Sequence, residues 1–371
     1  LNTVFFDVNR TQHVLLSIRI DTRCHISIVY VPFWIIHLSI LFYVYGVGSA
    51  EYQLKHAENA GDFIKSYFNV SILVLVVNNS WWFLRERRLL KSVLKDIDQG
   101  DRLARGSDTF YSKHNQLMKI VKRIILVFYG WNLSDALFVY LPYRVDIESS
   151  YSMTPCVGMG SLTESPKREI CLTLLCVQEF TIMTVVLNFQ ALLLLLIAHT
   201  AVMYQMLASE MMFLSENGNT TDIKEMAKET VPSIIRRHTL TLEVVKKLQS
   251  LYSVPLGVNF GTNAVCISLF FYLTLQEWLQ FMPILVYCFL TFFLYCYLCQ
   301  RLINASEDFE RAVYCCGWEN FALQEQKMVF VMLRQTQKPI QILAANIIPV
   351  NIYTFASTLQ AMFKFVTVVK V

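Results

Sequence analysis

Long apolar runs alternate with short polar ones along this chain, and the runs have the length of membrane-crossing helices. From about Ser27 to Gly48 there is no Asp, Glu, Lys or Arg. A second run, about Phe63 to Leu84, stops at Arg85, Arg87 and Arg88. A third, about Ile124 to Tyr143, carries one acid, Asp135. The fourth, Ile170 to Ala208, is 39 residues with Glu179 as its one formal charge. At 1.5 Å per residue it reaches roughly 58 Å, nearly twice a hydrocarbon core, and it holds no turn residues. The pattern therefore predicts one helix that spans the bilayer and continues beyond it. The returning helix repeats this: Leu240, Leu242, Val244, Val245, Leu248 and Leu251 keep helical spacing ahead of an uncharged span from Val254 to Leu275. A sixth span follows from Trp278 to Gln300. A seventh begins near Asn351, because Pro339 and Pro349 interrupt the chain before it and neither glycine nor proline follows.

Between the spans, residues 1–25 mix Arg10, Arg19 and Arg23 with apolar positions, as an interfacial helix would. Residues 301–338 are polar enough to leave the membrane, yet Leu323, Met328, Val331, Met332 and Leu333 form apolar faces that must bury against something. The seventh helix carries Ser357, Ala361, Lys364, Val368 and Val371 on one stripe, with Phe355, Leu359, Phe363 and Phe365 largely off it.

Composition supports the same class. The chain is 55% hydrophobic and 16% charged, with mean hydropathy +0.43, too apolar to close around one aqueous-soluble core. The net charge of +4 is small and gives no basis for nucleic-acid binding; its distribution matters more. With the amino terminus in the cytoplasm, the inside segments hold 25 of the 32 Lys and Arg: 3 before span one, 11 from Arg85 to Arg123, 6 from Lys224 to Lys247 and 5 from Arg301 to Lys338. The predicted fold is an all-α membrane protein of seven transmembrane helices with inverted topology, carboxyl terminus outside and cytoplasmic helical extensions. Leu1 opens no signal-peptide pattern, so insertion is expected to rely on the internal spans.

Enzymatic chemistry is not expected. No HExxH, GxSxG, P-loop or paired CxxC occurs, the seven His are scattered, and neither a cofactor nor a metal site is predicted. The cysteines read mostly as small buried residues, but Cys156 and Cys171 flank the loop after span three and are placed to pair there.

Near the carboxyl end, Tyr314, Trp318, Lys338-Pro339, Ala344-Ala345 and the segment NIIPVNIYTFASTLQAMFKFVTVV occur in an order that resembles the insect odorant receptor family. Phe363, Lys364 and Gln360 stand where that family often has Tyr, Ser and Lys. The resemblance implies a ligand-gated, non-selective cation channel in a sensory neuron's plasma membrane. Four subunits would surround one pore, with tuning subunits joined to a shared co-receptor as a heterotetramer. It also implies that the cytoplasmic extensions anchor the subunits, that the last helix lines the pore, and that odorants bind among spans two, three, four and six. By alignment Val368 takes the hydrophobic gate position.

The expected division is 1–200 for helices one to four and ligand binding, 201–253 for the extensions of helices four and five, 254–300 for helices five and six, 301–338 for anchor helices, and 339–371 for the pore helix. Ligand contacts are expected from amphipathic side chains in the outer halves of the spans: Tyr67, Phe68 and Ser71; Trp131, Ser134 and Phe138; Phe180 and Met183; Phe281, Leu285 and Tyr287. Each also reads as ordinary packing. The ligand would be a small, largely apolar volatile. Asp135 and Glu179 either bond to neighbouring spans or tune an outer cavity. For the pore the candidates are Ala361, Lys364, Val368 and Val371, with Lys364 facing either the pore or the outer headgroups. Leu248, Trp318 and Val331 are the assembly candidates. A gustatory-receptor-type homomeric channel and a seven-span G-protein-coupled receptor are the alternatives; the second needs its basic loops on the opposite face.

Overall fold

The computed structural model describes residues 26–53, 60–104, parts of 116–134, 156–157, 165–216, 220–272 and 282–369. Residues 1–25, with their expected interfacial helix, lie outside this set, as do Asp135, Phe138, Phe281 and Val371.

The described residues are almost entirely helical. Helix α1, Ile26–Leu41, widens into π-type turns over Phe42–Gln53. Helix α2 is Ala60–Arg85, and α3, Arg87–Ala104, follows it after a one-residue break at Glu86. Part of the expected third span is present as helical residues 126–132. Three long helices dominate: α4, Lys167–Glu216, of 50 residues; α5, Thr220–Phe270, of 51; and α6, Met282–Cys315, of 34. At 1.5 Å per residue, α4 and α5 are about 75 Å long, so each outruns a bilayer as its apolar run predicted. A 3-10 turn at Trp318–Asn320 leads to α7, Leu323–Thr336. The last helix, α8, is Ile352–Val369.

Among the described residues, four helices are long and apolar enough to cross a membrane, as judged by length and composition: Ser66–Arg85, Lys167–Leu214, Ile223–Phe270 and Ile284–Asn320. The shorter stretch Pro32–Gly48 is also apolar.

Helices α4 and α6 form the most extensive pairing, with α5 packed against both. Leu193 to Ala198 on α4 are all buried, which on a helix means contact on every side. Helix α3 returns along α5, where Lys247 donates to Ser92 Oγ at 2.8 Å and pairs with Asp96. Nearby His199 Nε2 lies 3.2 Å from Asp101 Oδ1, and Arg237 forms a two-pronged pair with Glu210. These polar links join α3, α4 and α5 in the half of the bundle that the sequence assigns to the extensions.

Pro255 lies inside α5 without ending it. A proline cannot donate to the carbonyl four residues earlier, here that of Leu251. Trp82 on α2 fills the vacancy, its indole N–H donating to Leu251 O at 2.8 Å while its ring stacks 5.0 Å from Tyr252.

The pattern did not foresee a two-stranded hairpin between α7 and α8, with β1 Leu343–Ala344 antiparallel to β2 Ile348–Pro349. Ala345 and Asn346 at its tip have φ of 51° and 59°, an unfavourable region for alanine. Contacts from α5 hold them there. Ala345 N donates to Ser253 O at 2.7 Å, Asn346 N donates to Ser253 Oγ at 2.7 Å, and Leu343 N donates to Gln249 Oε1 at 2.7 Å. The approach needs Gly257, where an added Cβ would stand 2.8 Å from the Ala345 Cβ. The Ala344-Ala345 pair in the carboxyl-terminal motif thus has a steric cause.

Candidate ligand site and last helix

Connectivity sets the ends of the bundle. Residues 217–219 join α4 to α5 and residues 271–281 join α5 to α6, so the start of α4, the end of α5 and the start of α6 share one end. A disulfide between Cys156 and Cys171 marks that end, joining the two cysteines that flank the loop.

Below it, side chains from five helical segments converge. Phe68 on α2 is buried with its ring 5.1 Å from Phe270 on α5. Ser71, one turn further, is buried in contact with Cys266 of α5. Tyr287 on α6 packs against both main apolar clusters, lies 5.6 Å from the Phe128 ring, and accepts a hydrogen bond from Gln190 Nε2 of α4. Leu285 is buried one turn before Cys288, and Met183 is half-buried against the same core. The region is an apolar wall of aromatic rings with a hydroxyl, an amide and two thiols set into it, the composition of a site for a small apolar ligand.

Phe68, Ser71, Leu285 and Tyr287 therefore come together, with Met183 at their edge. Trp131 is half-buried on the short helical stretch that also carries Phe128, and Ser134, beyond that stretch, is half-buried too. Tyr67 and Phe180 are 38% and 56% exposed, and the chain does not bring them to this wall. The reason for Tyr67 is helical geometry: adjacent positions differ by 100°, so an inward Phe68 turns its neighbour outward. Glu179 is half-buried and has an interaction partner. Sequence reasoning missed Gln190, Phe128, Phe270, Cys266 and Cys288. An amide within a largely apolar run was the available signal for Gln190, as for Gln178 and Asn188 beside it, since such a group needs a partner across helices.

Helix α8 starts from the hairpin, and Asn351 caps it by accepting from Thr354 N at 2.8 Å. Phe355, Leu359 and Met362 face inward, with Phe355 5.1 Å from Phe292 and 5.6 Å from Phe293. Ala361, Lys364 and Val368 are exposed together, Val368 at 75%. Their common face points away from the chain's own core. Ser357, expected on the same stripe, is half-buried, and Phe363 and Phe365 are exposed beside it.

Of the assembly candidates, Val331 is 67% exposed, Trp318 is half-buried against the core, and Leu248 is fully buried. Leu248 follows the inward face of α5, so its substitution reports on folding before assembly.

A family model for the 7tm Odorant receptor matches residues 59–363. The chain belongs to this family. It is therefore a multi-pass membrane protein. Among curated odorant receptors, Odorant receptor 22b of Drosophila melanogaster is 24% identical over 163 residues, covering 42% of this chain and 40% of that one. The Odorant receptor coreceptor of Aedes aegypti is 26% identical over 152 residues, 39% of this chain and 32% of the relative. These matches thus span two fifths or less of each curated relative. The fold is that of the insect olfactory receptor OR5 from Machilis hrabei, with a TM-score of 0.76 at 14% identity, covering 92% of this chain and 88% of that one. The same receptor in complex with eugenol matches equally well.

Proposed function

We propose that this chain is the odorant-binding subunit of a heteromeric, ligand-gated, non-selective cation channel in a sensory neuron's plasma membrane, working with an odorant co-receptor. The observation that carries this reading is the division of labour among the helices of an odorant-receptor-family chain. The α2, α4, α5 and α6 segments enclose an apolar wall with Tyr287, Gln190 and Ser71 as its polar points, whereas α8 turns Ala361, Lys364 and Val368 away from the chain. A helix in that position suits a central pore shared by several subunits, and a ring of apolar side chains including Val368 closes such a pore by dewetting. The ligand is a neutral, largely apolar volatile, in keeping with the eugenol bound by the Machilis hrabei receptor.

In this arrangement the amino terminus is cytoplasmic, following the distribution of basic residues, and the Cys156–Cys171 end lies outside. Residues 201–253 and 301–338 anchor the subunits and residues 339–371 line the pore. Four copies of Lys364 would repel cations and one another, so the chain serves as a minority subunit beside partners that are neutral at this position.

Current recording with and without a co-receptor, across an odorant panel, tests the proposal. Odorant-gated cation current only on co-expression is the expected result, with conductance or selectivity altered by Lys364→Ser. Robust current from the chain alone refutes the minority-subunit reading. Staining of a carboxyl-terminal tag on intact cells tests the orientation.

A further inference from the structure

The wall beneath the Cys156–Cys171 bridge holds two thiols, Cys266 and Cys288, to which the ligand reading gives no role beyond lining it. Cys266 on α5 and Cys288 on α6 are both buried, both are thiols, and they touch each other across the helix interface, with Ser71 of α2 completing the contact at Cys266. Cys296 and Cys299, by contrast, share one helix and cannot staple α5 to α6.

Depth gives a second, independent observation. Cys266 lies four residues before the end of α5 and Cys288 six residues after the start of α6, about 6 and 9 Å along their helices. Cys171 lies four residues into α4, about 6 Å from the same end of the bundle. Cys171 is already in a disulfide, and disulfides persist in oxidising compartments. The thiol pair thus sits at the oxidising end, one helix layer in from a bond that has formed.

We propose that Cys266 and Cys288 are an oxidant-responsive modification site, which a small peroxide converts to a disulfide that staples α5 to α6. In the first step the Cys266 sulfur, as its thiolate, attacks a peroxide oxygen. The S–O bond forms, the O–O bond breaks, and the departing hydroxide takes the proton that the Cys266 thiol gave up, becoming water. In the second, the Cys288 sulfur attacks the resulting sulfenic acid. The S–S bond forms, the S–O bond breaks, and a second water leaves with the Cys288 proton. Two thiols lose two electrons, and hydrogen peroxide, the named oxidant, gains them.

The test is peptide mapping of the full chain, purified in detergent and treated with hydrogen peroxide. The remaining thiols are alkylated after denaturation. The expected result is a cross-linked peptide joining Cys266 to Cys288, loss of two alkylatable thiols, and their return on treatment with dithiothreitol. Cys266→Ser and Cys288→Ser should each leave the partner alkylatable. The proposal is overturned if both thiols stay alkylatable under peroxide that oxidises exposed Cys176 and Cys315. It is also overturned if Cys288 cross-links elsewhere, or if Cys266 oxidises singly without bridging. Wild-type mapping decides the matter by itself should either variant fail to fold.

Discussion

Helices α4 and α8 are both strongly apolar, yet they solve opposite problems. Leu193 to Ala198 of α4 are covered on every side by the same chain, whereas α8 leaves Tyr353 80% exposed and Val368 75% exposed. On α4, apolar surface is spent on the fold of one subunit. On α8 only the Phe355, Leu359 and Met362 edge is used that way, and the opposite face remains for lipid or another chain. Hydrophobicity alone does not distinguish a core helix from an interface helix in a membrane protein, because lipid and protein are equally apolar. Helix α7 shows the same division outside the spans, with Val329 and Met332 buried and Phe330 and Val331 exposed.

The contrast breaks most severely at Leu248, which is fully buried. Leu248→Asp puts a carboxylate there without a partner, a cost of several kcal/mol. The expected outcome is loss of the monodisperse peak in size-exclusion chromatography of detergent extracts. Gly257→Val comes next, because its new Cβ falls 2.8 Å from the Ala345 Cβ and 3.1 Å from the Ala345 nitrogen. Overpacking of this kind costs about 1–3 kcal/mol. It should displace the hairpin from α5, read as lowered thermal stability and faster proteolysis between α7 and α8.

At the ligand wall, Tyr287→Ala removes a ring and the hydroxyl that Gln190 engages. It should move the odorant dose response about tenfold, or roughly 1.4 kcal/mol, with single-channel conductance unchanged. Outward-facing Phe180→Ala should leave the response in place. Equal shifts from both variants would move the site to the outside of the bundle.

His238 gives a pH-dependent test of the α4–α5–α6 core. It lies in the part of α5 assigned to the cytoplasmic extension under the proposed topology, its ring 4.9 Å from Phe309 and 6.0 Å from Tyr204, and burial lowers its pKa to about 4. The folded state therefore binds fewer protons than the unfolded chain between pH 6.5 and 4. Stability should fall with pH across that window by about 1 kcal/mol per unit, and level off below it. His238→Gln should flatten the thermal-melting profile over the same range. The smallest effect on the fold belongs to Val331→Asp. It should change stability by no more than about 0.5 kcal/mol, while removing the oligomer from a native gel if α7 holds subunits together.

Much of this architecture was legible because membrane-crossing helices are written in long stretches of sequence. The 39-residue run after Glu169 foretold an unbroken α4, and Pro339, Pro349 and Asn351 placed the start of α8. The hairpin was not legible. Its strands are two residues each, and its tip is held in a left-handed conformation by Ser253 and Gln249, which lie about 90 residues away. No local pattern contains such a partner. The ligand wall was half legible for a related reason: aromatic residues in a span were easily found, but 100° of helical rotation separates Phe68 from Tyr67 and only packing against α5 selects one of them.

By itself the sequence determined that the bilayer is this protein's solvent, where its longest helices lie, and that several of them outrun a membrane. Those properties follow from summed transfer free energies and backbone hydrogen bonding within single segments, to which tertiary partners are secondary. Only the tertiary structure decided which apolar faces the chain covers itself. It set Trp82 on the carbonyl freed by Pro255, Ala345 against Gly257, and Cys266 beside Cys288, while leaving Ala361, Lys364 and Val368 facing outward. Each of these depends on two segments distant in sequence meeting at one angle and depth, a relation that periodicity within either segment does not contain.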